Sequence, residues 1–486
     1  MAKRKISTFE RLQHGKMNRK QRRELQRKIN SENPGLEVVH PNAAGIDIGN
    51  ESHFVAIPPD RDTAPIREFG SWTADLCQMA SWLIDNGIQT VAMQSTGVYW
   101  IAVQEVLEQA GLEVYLVNAR GTKNLPGRKS DVQECEWLRK LHTYGLLRNS
   151  FRPPEEIRAV RTIWRQRDRW VKEAARSVQH MQKALTTMNV QLANAISDIT
   201  GATGQAILRA IVAGQRDPLQ LAKLRDKRIA ASEEEIANSL QGNWKEDVLF
   251  ELRQALEAYD FYQKQIADCE QELKRYTAAV PTREITENPN LPTDASPLPP
   301  SKKTHRSKSK SINNHKKKPS FDLAPELQRT MGVDLTLIDG IDVITAQVIF
   351  SEIGPDFSAF PDENHFASWL TLSPKNDISG GKIIRHVHAT GRQRVANALR
   401  MSAQSLSRSD SYLGARYRRL RARLDGPVAV KAMARYLACL VYRMVTKGQA
   451  YVDRGAAHYE AKRKEKERVA LQRRAALLGL KLVPAA

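Results

Sequence analysis

The feature that most constrains the fold is an ordered change of hydrophobic period near the start of the chain. Residues 43–49 (AAGIDIG), 53–58 (HFVAIP) and 67–72 (REFGSW) read as three strands joined by short connections, which predicts a meander. Residues 74–86 then take a helical period, 90–95 (TVAMQS) return to strand, 98–110 are helical, and 112–118 (LEVYLVN) form a fifth strand. Three adjacent strands followed by strand–helix–strand alternation call for an α/β sheet covered by helices. The order matches the RNase H-like arrangement, and the pattern alone is shared with other α/β folds.

Beyond Pro153 the pattern changes to long helices. Trp164, Val171, Val178, Leu185 and Leu192 recur every seventh residue, with Ala174, Met181 and Met188 as the companion row. A second stretch sets Leu252, Tyr259, Ile266 and Leu273 beside Ala255, Tyr262, Cys269 and Tyr276. Two such stripes form an antiparallel coiled-coil hairpin within the chain or a seam between chains. Residues 281–320 carry six prolines up to Pro300 and then SKKTHRSKSKSINNHKKK, a composition that cannot bury enough apolar surface to offset its ordering entropy, and read as a disordered basic linker. Farther on, residues 335–353 read as two helices around Ile338-Asp339-Gly340-Ile341-Asp342. Gly391 precedes a basic amphipathic helix over about 392–406, and Pro427 and Gly448 bracket another. The organisation expected is a basic arm (1–40), an α/β domain (41–153), a coiled-coil helical domain (154–280), the linker (281–320), a mainly helical domain (321–450) and a basic C-terminal helix or tail (451–486).

Charge distribution narrows the class of partner. Residues 1–30 hold 11 Lys/Arg against 2 Glu, 302–318 hold 8 against none, and 461–474 hold 7 against 2. These three short segments account for all of the net charge of +21. Counterion release from a polyanion rewards such arms, so nucleic acid is the expected partner; solubilising flexible ends is the plainer reading. No apolar run approaches the roughly 18 residues of a spanning helix, and charges stand where a signal peptide has its apolar stretch, so an unexported soluble chain with no membrane partner is expected. Four widely separated cysteines offer neither a zinc spacing nor a disulfide framework.

Three places could carry chemistry. Asp47 stands in the middle of the strand GIDIG, and a buried strand carboxylate is costly unless it is paired or binds a cation. Asp131 and Glu134 in GRKSDVQECEW share one helix face at spacing i, i+3, and with Asp47 they form an oxygen donor set suited to Mg²⁺; read alone, Asp131 is also compatible with a helix cap after Ser130. Ser379 in NDISGGK has small neighbours that let a phosphodiester approach, with Arg385, Arg392 and Arg394 near enough in sequence to contact phosphate, although a Ser-Gly-Gly turn is common in ordinary loops. Gly340 sits in a turn resembling a helix-hairpin-helix, whose backbone N–H groups can meet a DNA phosphate. Lys302, Lys303, Lys316, Lys317 and Lys318 of the linker are further phosphate contacts. His386 and His388 are assigned no metal.

The runs QSTGVYW, LVNARGTKNLPGRKSDVQECEWLRKLHTYGLLRNSFRP, VQHMQKALTTMNVQLANAISDITGATG and LSPKNDISGGK resemble, in this order, the IS110 family of insertion-sequence transposases, and within it the IS1111 branch. The resemblance covers about residues 41–280 and 321–450. It implies a RuvC-like DEDD domain, a coiled-coil segment and a C-terminal transposase domain with a catalytic serine. It also implies donor and target DNA as substrates, a structured bridge RNA as guide, and a homo-oligomer, dimer or tetramer, acting in the bacterial cytoplasm at the nucleoid. Matched by motif, Asp47 takes the first acidic position, Asp131 the third, Glu134 the fourth and Ser379 the nucleophile.

Two positions depart from the pattern. Gln94 stands where the family usually has glutamate, giving an amide oxygen without negative charge as a metal ligand, and Glu134 replaces the more usual aspartate. The competing expectations are a metal-dependent nuclease or junction resolvase in which water attacks, and an inactive nucleic-acid-binding relic.

Overall fold

The computed structural model describes residues 19–29, 31, 35–94, 97–118, 130–284, 318–379, 382–387, 393–448, 455–477 and 479–480. The chain divides into two compact units, Met1–Arg152 with Asp377–Lys382, and Pro153–Asn376 with Ile383–Ala486.

In the first unit a helix, α1 (Arg19–Ile29), precedes β1 (Ala43–Ile48), β2 (Ser52–Ala56), β3 (Ile66–Gly70), α2 (Thr73–Asp85), β4 (Thr90–Gln94), α3 (Trp100–Gln109), β5 (Glu113–Val117) and α4 (Asp131–Thr143). The five strands form one sheet in the order β3-β2-β1-β4-β5. The β1–β2 and β2–β3 pairs are antiparallel, and β1–β4 and β4–β5 are parallel. This is the RNase H-like order that the sequence predicts.

Strand periodicity decides what each face buries. Ile46, Ile48, Val55, Val91, Met93, Val114 and Leu116 point to one face, where Leu76, Met79 and Leu83 of α2 and Val103 and Leu107 of α3 cover them. Ala92 and Val117 point to the other, against Leu138 and Leu141 of α4. Leu25 and Ile29 of α1 join that second core, so the basic arm contains an amphipathic helix packed on the domain.

One buried contact fixes where α4 ends. Thr90 Oγ1 lies 2.9 Å from His142 Nε2. Burial, with a smaller contribution from His40, holds His142 down at about 3. Because this lies below the ordinary value of 6.5, the unfolded chain takes up a proton that the folded one refuses. That contribution to stability is complete above pH 6.5 and is lost as pH falls toward about 3, at up to about 1.4 kcal/mol per pH unit. Denaturation midpoints between pH 7 and 5 should therefore fall less steeply in His142→Gln than in the parent. Equal slopes would remove His142 as the cause.

The second unit opens with α5 (Glu155–Thr187), followed by α6 (Leu192–Ala195), α7 (Ala202–Val212), α8 (Pro218–Ala222), α9 (Glu233–Ser239) and α10 (Glu246–Ala279). Arg167 meets Glu270, Trp170 stacks on Tyr262, and Met181 and Leu185 share a core with Leu252 and Leu256. Contacts that rise along one helix and fall along the other make α5 and α10 an antiparallel hairpin within the chain. The heptads end sooner than expected: Met188 follows the last turn of α5, and Leu192 belongs to a small helical cluster at the tip with Ile207, Leu221 and Ile236.

The remaining elements are α11 (Ala324–Met331), a 3-10 turn (Leu335–Leu337), α12 (Val343–Ile353), α13 (Glu363–Trp369), β6 (Lys375–Ser379), β7 (Lys382–Val387), α14 (Arg394–Ser405), α15 (Tyr412–Arg421), α16 (Gly426–Lys447) and α17 (Gly455–Leu477). Phe357, Phe360, Phe366 and Tyr442 form an aromatic core, with the Tyr442 hydroxyl donating to the Phe360 carbonyl at 2.8 Å. The chain is thus an α/β domain joined to a mainly helical region. Residues 285–317, most of the expected linker, lie outside the described residues. Among the described residues, no helix is long and apolar enough to cross a membrane.

Candidate active site

The site is built on one residue without a side chain. Gly45 lies in the middle of β1, and a methyl group there would collide with the carbonyl oxygen of Cys135 and the amide nitrogen of Arg139. Its absence lets the backbone of α4 rest directly on the strand, which is a use to which glycine inside a strand is often put. Asp47, two residues on, shares Gly45's face of the sheet. The parallel register ends with Ile46 paired to Met93, and Asp47 and Gln94 are the residues that follow them in β1 and β4, at the same end of the sheet.

The direction of α4 follows from its far end. The Thr143 carbonyl accepts from the amides of Val39 and His40 at 2.9 and 3.0 Å, just ahead of β1, and His142 meets Thr90 at the start of β4. With Cys135 and Arg139 over Gly45, the first turn of α4 is directed toward the end of the sheet where β1 and β4 finish. Asp131 and Glu134 occupy that turn. In open α/β sheets the carboxyl ends of parallel strands are where ligands bind.

Ser130 caps the helix, accepting from the Gln133 amide at 3.3 Å, so Asp131 is exposed rather than used as the cap. Glu134 and Asp47 are half-buried, and Gln94 is buried. Burial pushes the Cys135 thiol up to about 12, and the nearby Asp47 carboxylate adds to the rise. Asp47 therefore acts electrostatically on the start of α4, and Cys135 is an inert thiol rather than a nucleophile.

These donors are all oxygens, two aspartates, a glutamate and an amide, which fits a hard divalent cation that keeps several waters and takes one or two carboxylates plus substrate phosphate. Among the described residues, no group of three or more His, Cys, Asp or Glu is close enough together to hold a metal ion.

The other candidates are distributed differently. Ser379 is the last residue of β6 and Arg385 lies within β7; these strands pair as a two-stranded sheet, so Ser379 ends a strand and only Gly380 and Gly381 separate the two. Arg394 opens α14 and donates to Asp168 of α5 at 2.8 Å, a partner 226 residues away. Gly340 has φ +86°, and a side chain there would press on the Ser402 carbonyl and Leu406, so it packs the turn against α14. The first helix expected at this turn is the short Leu335–Leu337 3-10 segment, and Asp342 caps α12 through the Thr345 amide. Lys318 is exposed; Arg392, Lys302, Lys303, Lys316 and Lys317 lie outside the described residues. Sequence reasoning missed Gly45, although a glycine in a buried strand two residues from the candidate acid was the available signal.

Comparison with protein-family models matches residues 44–190 to a DEDD-type model described as Transposase. Residues 334–418 match a model described as Transposase IS116/IS110/IS902 family. The first span contains Asp47, Gln94, Asp131 and Glu134, and the second contains Gly340, Ser379, Arg385, Arg392 and Arg394. A search of curated proteins finds no match to the chain.

Proposed function

Because this chain belongs to the IS110 family of insertion-sequence transposases, we propose that it recombines DNA through Ser379 as nucleophile, assisted by a Mg²⁺ site formed by Asp47, Gln94, Asp131 and Glu134. The observation that most supports this reading is the seating of α4 on Gly45, which directs two acids toward the sheet end that carries Asp47 and Gln94. When bound, the cation stabilises charge developing on the phosphoryl, attacking and leaving oxygens.

In the step proposed, Ser379 Oγ attacks a DNA phosphorus as its proton passes to a base. The bond from phosphorus to the 3′ oxygen breaks, that oxygen takes a proton, and a phosphoserine link and a free 3′ hydroxyl result. Attack by a 3′ hydroxyl on the phosphoserine reverses the chemistry on the exchanged strand and frees the serine. Arg385, Arg392, Lys302, Lys303, Lys316, Lys317 and Lys318 contribute phosphate contacts, and the Gly340 turn is a further candidate contact. The partners are donor and target DNA, a structured bridge RNA that selects the sites by base pairing, and further copies of the chain, in the cytoplasm at the bacterial nucleoid.

A denaturing gel tests this with purified protein, the flanking RNA of its element, cognate DNA ends and Mg²⁺. A protein–DNA adduct is expected with the parent and absent with Ser379→Ala. Free cleaved strands from both proteins, with no adduct, would replace the serine mechanism by metal-assisted hydrolysis. Binding without cleavage would mark a relic and make the neutral Gln94 the suspect.

A further inference from the structure

Helices α14 and α16 pack against each other and bring together cations that neither the candidate active site nor the core uses. Arg400 stands on α14, and Lys431 and Arg435 follow one another by four residues on one face of α16. All three are half-buried. Arg400 is near enough to Lys431 for the two charges to oppose each other across the helix pair.

The partners of this group are neutral. Arg400 Nη1 donates to the Asn397 amide oxygen at 2.8 Å. Arg435 donates through Nη2 to the Asn364 amide oxygen at 2.7 Å and through Nε to the Ser373 hydroxyl at 3.4 Å. The acids on that side are engaged elsewhere: Glu363 gives both carboxylate oxygens to Arg443, and Asp362 caps α13 through the amides of Asn364 and His365. Among the described residues, none of the three cations forms an ion pair. Burial, then Arg400, lowers the Lys431 amine from its ordinary value, with no acid among the described residues acting the other way. Cations partly withdrawn from water cost free energy unless an anion joins them.

We propose that Arg400, Lys431 and Arg435 form a seat for a phosphate group between α14 and α16. A carboxylate brings a single charge and two oxygens, fewer than two guanidinium forks and an ammonium can use, whereas the oxygens of a phosphate accept from both kinds of donor. Asn397, Asn364 and Ser373 orient the two guanidinium groups while leaving their charge uncompensated, so the donors are held in place before the anion arrives. Free phosphates and the phosphates of a nucleic-acid strand share this chemistry. The ligand follows from charge and donor set and the readout is occupancy, so the proposal stands or falls apart from Ser379 and the acidic site.

The test is acetylation of the full chain by trace acetic anhydride, read by mass spectrometry at Lys431 and, as control, at the exposed Lys447 of the same helix. Pyrophosphate is expected to slow acetylation of Lys431 about tenfold at about ten times its half-saturating concentration, and to leave Lys447 nearly unchanged. A short DNA single strand without a terminal phosphate is the second probe. Protection by pyrophosphate alone supports a seat for a free or terminal phosphate, and protection by the strand as well supports a seat for a backbone phosphate. Equal acetylation of Lys431 with and without both probes overturns the proposal, as does equal protection of Lys447. Arg400→Gln should abolish the protection and, with the like charge gone, slow acetylation of Lys431 in the absence of probe, because the amine is then less often neutral. A variant protected like the parent also overturns the seat.

Discussion

Gly45→Ala should reduce DNA strand cleavage by at least about a hundredfold and raise the Mg²⁺ concentration needed for what activity remains. The added methyl meets backbone atoms of α4, Cys135 O and Arg139 N, rather than the movable end of a side chain. A rigid helix can yield only by lifting as a unit, which carries Asp131 and Glu134 away from Asp47. Overpacking of this kind costs roughly 1–3 kcal/mol, so the unfolding midpoint should fall as well. A stability loss alone leaves the metal dependence of the folded fraction unchanged, whereas on the proposed reading, in which Asp131 and Glu134 hold the cation, moving α4 shifts it. Gly426→Ala is the control, since nothing lies close to an added methyl there. If Gly45→Ala cleaves like the parent at the same Mg²⁺ concentration, the acids do not work together across this contact.

Arg167→Ala carries the largest stability effect expected in the second unit. Arg167 and Glu270 are 3% and 7% exposed at the side chain, deep between α5 and α10, with Nη2 to Oε1 at 2.7 Å. The other carboxylate oxygen of Glu270 accepts from the amide and hydroxyl of Ser320 at 2.8 and 2.6 Å. Removing the guanidinium leaves a buried charge half-compensated, a change that costs about 3–5 kcal/mol. The double variant Arg167→Met/Glu270→Leu should recover most of that loss, because an apolar pair of similar volume needs no solvent. Denaturant unfolding followed by tryptophan fluorescence reads the difference through Trp164 and Trp170 on α5. A single-variant cost below about 1 kcal/mol, or a double variant no better than the single, would contradict this account. Ser320 lies just after residues 285–317, so the same carboxylate also fixes where the chain rejoins the hairpin.

The features legible in the sequence were those written in local spacing. The five strands, the helices between them and the bracketing of α16 by Pro427 and Gly448 follow from periods of two and 3.6 and from turn chemistry, and they emerge close to their expected bounds. The heptads gave two helices and left their pairing open. The structure pairs them within the chain because the contacts of α5 fall in reverse order along α10. The basic arm concealed α1, since Leu25 and Ile29 are two apolar residues among arginines and their meaning appears only with the core they enter.

The candidate site divides in the same way. The sequence by itself identified Asp47, Asp131 and Glu134 as acids in a buried strand and on one helix turn, and Ser379 beside two glycines. It determined the kinds of element that carry them, because hydrophobic period and residue chemistry act over a few neighbouring positions. Only the tertiary structure decided that α4 lies against β1 at Gly45, that Asp47 and Gln94 follow the last paired residues at one end of the sheet, that Gly340 packs on Ser402 and Leu406, and that Arg394 reaches Asp168. Those contacts join residues dozens to hundreds of positions apart. They are set by which faces can approach closely without steric overlap and which buried charges find a partner, and neither is a property of a local run of sequence.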